Sequence, residues 1–446
     1  MAEEPTTGPK SPHRVVIVGG GFGGVYTAHA LQKLTAATPL DITLVSRENY
    51  FLITPLLFEA GSGVLDPRHV VSPIRPLLTT THFIEAQVTG VDMDRRVVNA
   101  SHEGDPRSHE IPYDTLVLAV GGVTNRSIIP GSEQALAFKT LADAIFLRNQ
   151  VIDLFEQADV ETDPARKQRL LTFVLIGAGL VGVELAGELT EFLHNICRSY
   201  RHVRYEELRM IMLEAGPRFL PEMAEDLANF AHKTLAQRRM DIRVNTKVAK
   251  IDPGSVTLGE GENIAAHTII LCAGIGAHPL LEKLPLEKQR GRIVVEPTMR
   301  VKDHPEIWAL GDCAFIPDSV GKPYPQLAQH ALREARLLAA NIVAAGKGEA
   351  PAPFVYQSMG TMAALGHFSG IGRVMKVQIR GFVAWWVWRT YYLMQMPGWS
   401  RRLRIVIDWT IALFFHNDIV KLDLYGLEHP LRAQKTPAER PGPPTP

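Results

Sequence analysis

Residues 15–24 read VVIVGGGFGG, an apolar β-branched run that breaks into glycines, and residues 25–34, VYTAHALQKL, follow it with a helix-like pattern. Such a run predicts a strand, a tight turn and a helix start. Gly19, Gly21 and Gly24 fall on the G-x-G-x-x-G spacing. That spacing supplies one glycine for the turn, one that lets backbone approach a pyrophosphate, and one for close packing of the helix. An anion held there would sit on the unpaired N–H groups and the positive dipole end of the helix. The stretch predicts a dinucleotide-binding α/β unit, so the remaining question is which dinucleotide it holds.

The chain has 446 residues, 46% hydrophobic and 21% charged, which fits a globular protein of two or three domains and not a disordered one. Lys plus Arg and Asp plus Glu number 47 each, so no global charge points to nucleic acid. Cys197, Cys272 and Cys313 stand far apart without a C-x-x-C, which argues against a disulfide framework or zinc site and for a reducing compartment. No metal is expected. Residues 1–12, acidic and rich in Pro, Thr and Ser, and the Pro-rich residues 432–446 read as flexible tails, the first without the apolar core of a secretory signal. No charge-free apolar run reaches the roughly 18 residues of a membrane-spanning helix.

Residues 41–45 form the next expected strand, after which an Asp or Glu would hold ribose hydroxyls in the usual way. That position is Ser46, followed by Arg47 and Glu48. The missing acid weakens the case for NAD at the first loop. Residues 49–59, NYFLITPLLFE, centre on Thr54 and Pro55 and also suit plain core. Residues 88–98 and 108–120 read as further strands, the latter running into Gly121 and Gly122 as a second close approach of backbone to the same ligand. Residues 128–131 read as a turn, 140–157 as an amphipathic helix and 159–169 as a polar surface loop.

Residues 172–182, TFVLIGAGLVG, repeat the opening design, with Gly177, Gly179 and Gly182 on the same spacing. The following helix carries Glu184 and Glu188 one turn apart, a pattern that suits either a cofactor-facing role or a solvated face. The strand 208–213 ends in Glu214, where the ribose acid belongs; an acid there accepts from the ribose hydroxyls and repels a 2′-phosphate, which predicts NADH over NADPH. A nicotinamide delivers a hydride and a flavin can take it and pass electrons on, so two dinucleotide sites in one chain assign the first to a flavin. Residues 268–276, TIILCAGIG, close the second unit, and 307–312, IWALGD, return the chain to the first, with Asp312 placed to receive ribityl hydroxyls or to cap a turn.

The pieces VVIVGGGFGG, NYFLITPLL, GAGLVGVELAGEL, ALGDCA and AQHA (328–331) resemble the two-dinucleotide flavoprotein reductases, and more narrowly the type II NADH:quinone oxidoreductases, over residues 13–425. The resemblance implies an α/β fold of two Rossmann-like domains in a glutathione-reductase-like architecture. It divides the chain into an FAD domain (13–140 and 286–346), an inserted NADH domain (141–285) and a C-terminal amphipathic helical region for membrane anchoring (350–431). It implies FAD at Gly19, Gly21, Gly24 and Asp312, and NADH at Gly177, Gly179, Gly182, Glu184 and Glu214. Further cofactor-binding candidates are Phe22, Gly23, Ser46, Arg47, Thr54, Val88, Gly121, Gly274, Gly311 and Gln329. Glu184, Gln329 and Arg333 form the catalytic set. Gln329 matches the first glutamine of the family's quinone-side motif, whereas the second is Arg333, either beside the flavin ring or on the helix surface.

Five of the six tryptophans fall within residues 381–415, with Tyr391, Tyr392, Arg401, Arg402 and Arg404 among them. Aromatic residues with polar tips and basic residues suit a helix lying on an anionic membrane surface, and Arg389 and Asp408 interrupt any span. A dimer interface or core-packing helices would use the same residues. The function implied is an FAD-dependent NADH dehydrogenase passing electrons to a membrane quinone from the cytoplasmic face of the cell membrane, without proton pumping, with room for a homodimer. The alternatives are a soluble NAD(P)H:acceptor flavin reductase and a flavin-bound redox-sensing interaction protein.

Overall fold

A computed structural model describes residues 12–35, 40–102, 104–105, 107–358, 360–415 and 418–422. Apart from Pro12, the expected tails lie outside the described residues. The elements that carry the argument are, in chain order, β1 (His13–Val18), α1 (Phe22–Leu34), β2 (Leu40–Ser46), α2 (Leu57–Gly61), β3 (His82–Glu85), β4 (Thr115–Leu118), α3 (Leu141–Val160), β5 (Thr172–Ile176), α4 (Leu180–Cys197), β6 (Arg209–Leu213), β7 (Met240–Arg243), β8 (Thr268–Leu271), β9 (His304–Ala309), α5 (Ala328–Gly346), α6 (Phe382–Gln395) and α7 (Trp399–Phe414). Two compact units result: Met1–Leu52, Val71–Val123 and Ile275–Gln357 form the first, and Ile53–Val70, Thr124–Gly274 and Ser358–Pro446 the second.

In the first unit β3, β2, β1, β4 and β9 lie side by side, all parallel, with Arg300–Val301 antiparallel on the β9 edge. The central strand β1 has Val15, Val16, Ile17 and Val18 all buried, because a parallel sheet is covered on both faces. This explains its unbroken β-branched sequence. In the second unit β7, β6, β5 and β8 repeat the design, with Leu136–Ala137 beyond β8. Val18 stands opposite Val45 at the end of the β1–β2 pair, and Ile176 opposite Leu213 at the end of β5–β6. The two turns therefore leave equivalent places in their sheets.

Three expected elements are redrawn. Residues 88–98 are not one strand but the hairpin Gln87–Asp92 and Val97–Ser101, because Asp92 accepts from the Arg95 N–H and Arg96 takes a left-handed conformation, turning the chain. Residues 108–120 break into Ser108–Pro112 and β4, between which Asp114 receives a bidentate bond from Arg14 at 2.8 and 3.1 Å. The expected loop 159–169 contains the helix Pro164–Leu170, started by Asp163, whose side chain accepts from the Ala165 N–H, and by Pro164 in the first turn.

The aromatic segment forms α6 and α7, and its apolar residues divide between two surroundings. Trp385, Trp388 and Ile405 are buried, as is the charged Arg389, while Trp386, Trp399, Leu403, Ile411 and Phe414 are exposed. Core packing and an outward apolar face coexist on the same pair of helices. No helix among the described residues is long and apolar enough to cross a membrane.

Candidate functional site

At the first loop, Gly19 has φ +116°, and its N–H donates to the Val45 carbonyl at 2.8 Å, fixing the end of β1 to β2. A Cβ on Gly19 would stand 2.3 Å from the Ala119 carbonyl oxygen, and one on Gly24 only 1.8 Å from the Gly19 oxygen. Gly21 caps α1 without a side-chain bond, and a Cβ there would enter open space in front of the helix N-terminus. That cradle, lined by main chain and headed by unpaired helix N–H groups, fits the pyrophosphate of a dinucleotide. Gly23 packs on Leu310 and Ala119, and Phe22 stacks on Tyr26 and meets Phe51 edge-on. Ser46 is buried: a Cβ on Gly20 would lie 2.4 Å from its Oγ, so the β2 terminus is wedged against the loop. Arg47 lies at the surface and pairs with Glu48 at 3.0 Å.

Gly311, with φ +71°, opens the short 3₁₀ turn Gly311–Cys313 that carries Asp312, and its N–H donates to Glu334 Oε2 of α5 at 2.8 Å. Burial pushes the Glu334 carboxyl up to about 7. On the same helix Gln329 accepts from the Tyr356 hydroxyl at 3.3 Å, and the Arg333 guanidinium lies 4.4 Å from the centre of the Tyr356 ring. Arg333 is thus neither a bare surface residue nor without a partner. Gly121 takes φ +68° with nothing within 4 Å of a Cβ position. Val88 belongs to the hairpin, opposite Ala100 next to a bulge. Thr54 and Gly274 fall in the second unit, Thr54 opening the 3₁₀ turn Thr54–Leu56 and Gly274 accepting from the Asn125 N–H at 2.9 Å.

The second loop copies the first. Gly177 has φ +107° and donates to the Leu213 carbonyl at 2.8 Å, and a Cβ on Gly182 would lie 2.0 Å from the Gly177 oxygen. Glu214 replaces the serine: its carboxylate accepts from the Ala178 N–H at 2.8 Å and the Gly216 N–H at 2.7 Å, so it is fixed beside the glycine turn. Two main-chain donors orient the acid before any ribose arrives, as a hydroxyl-binding group requires. A further acid, Glu222, stands 2.9 Å from the place of a Gly179 Cβ.

Glu184 and Glu188 do not lie on a solvated face; both are buried. Glu184 Oε1 accepts from the Trp388 indole N–H at 3.0 Å and the Ala364 N–H at 3.1 Å, and Glu188 accepts from the Ser62 hydroxyl at 3.0 Å. Burial pushes the Glu184 carboxyl up to about 8, and burial together with nearby Glu59 raises the Glu188 carboxyl as well. Next to them Glu59 of α2 binds Arg389 at 2.8 and 2.9 Å, and its second oxygen accepts from the Trp409 indole. The Arg389 guanidinium is sandwiched between the Trp385 ring, 4.2 Å away, and the Trp409 ring at 4.7 Å. Asp408 accepts from the Asp66 N–H and pairs with His69. Arg389 and Asp408, which interrupt the apolar runs of this segment, therefore face inward to partners on residues 53–70. Arg401 and Arg402 donate to main-chain carbonyls of Arg68, Met396 and Met394, while Arg404 is exposed.

The structure brings together Gly19, Gly21, Gly23, Gly24 and Ser46 at one loop, and Gly177, Gly179, Gly182 and Glu214 at the other. Glu184 turns instead toward Trp388. Sequence reasoning missed Glu59, Ser62, Glu222, Glu334 and Tyr356. Acids inside apolar segments, Glu59 in TPLLFEAG and Glu334 in AQHALREA, were the available signal, since a charge rarely stands in such a run without a buried partner.

The chain matches the family model of the pyridine nucleotide-disulphide oxidoreductases over residues 13–335. It is 30% identical over 427 residues to the type II NADH:quinone oxidoreductase Ndh of Mycobacterium tuberculosis, covering 92% of this chain and 90% of that one. It is 32% identical over 421 residues to the type II NADH:quinone oxidoreductase NdhA of the same organism, covering 90% and 87%. The solved structure of NDH2 from Plasmodium falciparum in complex with NADH superposes with a TM-score of 0.86 over 92% of this chain and 100% of that one; at 19% identity the likeness is one of fold.

Proposed function

The chain belongs to the pyridine nucleotide-disulphide oxidoreductases and, within them, to the type II NADH:quinone oxidoreductases, and from that membership we propose which of its residues do what. It is an NADH dehydrogenase that reduces quinone without proton pumping, and its FAD, when bound, takes a hydride from NADH and hands two electrons to the acceptor. The observation that carries the division of labour is the duplicated turn, of which only the second is backed by an acid. The loop at Gly19, Gly21 and Gly24 holds the FAD pyrophosphate, and Asp312 its ribityl hydroxyls. The loop at Gly177, Gly179 and Gly182 holds the NADH pyrophosphate, while Glu214 binds the ribose hydroxyls and rejects a 2′-phosphate. Glu184 acts as a positioning residue, tying the start of α4 to Ala364 and Trp388. Gln329 meets the acceptor.

The acceptor is a membrane quinone, reached by the exposed apolar side of α6 and α7. Trp399 is 78% exposed and Phe414 77%, whereas Trp388, at 1%, belongs to the core. Helices of this kind lie in the headgroup region, and Arg404 adds attraction to an anionic surface. The face it meets is the cytoplasmic one. A homodimer burying the same side chains is the competing arrangement. Truncation before α6 would strip Trp388 from Glu184 and Arg389 from Glu59, so point substitutions test the surface better. Trp399→Glu with Phe414→Glu should abolish flotation with anionic liposomes while leaving thermal stability intact; flotation equal to the native chain would overturn the membrane reading, and a smaller particle in solution would favour the dimer.

For the reaction, the yellow protein is reduced anaerobically with NADH and then mixed with a short-chain quinone. Rapid bleaching followed by rapid recovery is the expected result. Recovery with oxygen or a ferredoxin-like protein but not with quinone would favour a soluble reductase, and no recovery with any of them a redox sensor.

A further inference from the structure

The second glycine of each loop is the one through which main chain meets the ligand, and the two loops differ at that residue. Around Gly21, a Cβ would have nothing within 4 Å among the described residues. One on Gly179 would stand 2.9 Å from Glu222 Oε1, with Cδ and Oε2 at 3.7 and 3.8 Å. The place that the first loop leaves open is taken in the second by a carboxylate. Gly179 is the N-cap of α4 and caps it without a side-chain bond, so the acid stands at the positive end of that helix. Chain geometry puts it there. Ala178 is gripped at both its main-chain groups by the segment after β6: its N–H donates to Glu214, and its carbonyl accepts from the Leu220 N–H at 2.9 Å. Leu220 takes a left-handed conformation, φ +51°, and its carbonyl accepts from the Met223 N–H at 3.1 Å, closing a turn with Pro221 and Glu222 at the tip. Phe219, Leu220 and Met223 are buried, and the Arg218 guanidinium donates to the Met223 carbonyl at 3.2 Å. The turn is anchored on both sides, while Glu222 itself is exposed and its side chain can swing into solvent.

We propose that Glu222 is an internal competitor for the pyrophosphate of NADH, an acid that holds the cradle at Gly179 and must swing out before the dinucleotide enters. A pyrophosphate is itself an anion and needs the same helix end. The carboxylate therefore opposes it twice, by occupying its place and by repelling its charge. The consequence is a division between a resident and an exchanging ligand. FAD stays through many turnovers, and at Gly21 nothing contests its pyrophosphate among the described residues. NADH arrives and NAD⁺ leaves once per turnover, and their loop carries an acid that weakens both. The inference rests on the reading that the second loop holds NADH.

The test titrates NAD⁺ into the oxidised, FAD-loaded enzyme by calorimetry, because NAD⁺ carries the same pyrophosphate and leaves the flavin oxidised. Glu222→Gln and Glu222→Ala should each lower its Kd by about three- to tenfold, the scale of one charge removed from a helix end and from the neighbourhood of a bound anion. The gain in Glu222→Gln should shrink between about 20 mM and about 500 mM salt, which screens the charge. Glu225→Gln, in the first turn of the next helix, Glu225–Gln237, removes the same net charge outside the turn and should leave the Kd within about twofold. An unchanged or weaker Kd in Glu222→Gln overturns the inference, as does an equal gain from Glu225→Gln or a gain that salt leaves untouched. Gly182→Ala decides the reading beneath it. Native NAD⁺ affinity in that variant overturns the NADH assignment and this inference together, whereas lost affinity there beside an unaltered Glu222→Gln overturns the inference alone.

Discussion

The two glycine loops have one backbone and different chemistry behind it. Gly19 and Gly177 share a positive φ and the same bond to the neighbouring strand, and Gly24 and Gly182 press equally close on the first glycine's carbonyl. Beyond the turn they part. Behind the first stand Ser46, wedged on Gly20, and a helix that packs glycine against Leu310; behind the second stand the main-chain-bonded Glu214 and a helix carrying two buried acids. The turn makes a dinucleotide site, and its surroundings decide which dinucleotide is accepted and how tightly the helix is tied to the rest of its unit.

Matched alanines give the sharpest break. Gly24→Ala should yield protein without yellow colour, whereas Gly182→Ala should keep its FAD and lose bleaching by NADH, each a loss of at least a few kcal/mol at its own loop from backbone overlap that has nowhere to relax. Both variants losing FAD equally would dissolve the division of labour. Arg389→Ala comes next: it leaves Glu59 buried without its cation and should cost about 3–5 kcal/mol in denaturant unfolding, a cost with no counterpart behind α1.

The buried acids make a pH prediction. Burial raises the Glu184 carboxyl to about 8 from an ordinary 4.5, and burial with nearby Glu59 raises the Glu188 carboxyl in the same direction, so the folded chain holds protons that the unfolded chain has released above about pH 4.5. Their stabilisation is complete below about pH 4.5 and is lost as pH rises toward 8, with a slope of up to about 1.4 kcal/mol per pH unit for each group. Glu188→Gln should flatten the fall in melting temperature between pH 6 and 8. The smallest effect is at Glu214: the Gln variant should narrow the preference for NADH over NADPH by about tenfold, roughly 1.4 kcal/mol, and an unchanged ratio of kcat/KM values would remove the ribose assignment.

Both loops were legible in the sequence because a buried parallel strand running into spaced glycines is a local pattern. The reading of Glu214 was legible for the same reason, since its place at a strand end is set by chain order. Glu184 and Glu188 were not, because an i, i+4 pair of acids looks identical whether it faces water or a tryptophan contributed about two hundred residues later. Arg389 illustrates the same limit: read locally it is a charge breaking an apolar helix, and only the fold supplies Glu59. The hairpin at residues 87–101 was a different kind of miss, since Asp92 and the arginines after it already spelled a turn.

The ion pair between Glu59 and Arg389 also sets a timetable. Its two ends are separated by 330 residues, so at about 5–20 residues per second a translating ribosome takes on the order of 20 to 60 seconds between releasing one partner and the other. Through that interval α2 and α4 have emerged, but the guanidinium and the indoles that cover their acids have not. The sheet core around Val174, Ile211 and Ile269 can close before α6 is made, but the acids on α2 and α4 stay uncovered until the C-terminal helices emerge. Nascent chains stalled before α6 should bind chaperones and be cut readily by protease, and protection should appear abruptly once α7 clears the exit tunnel.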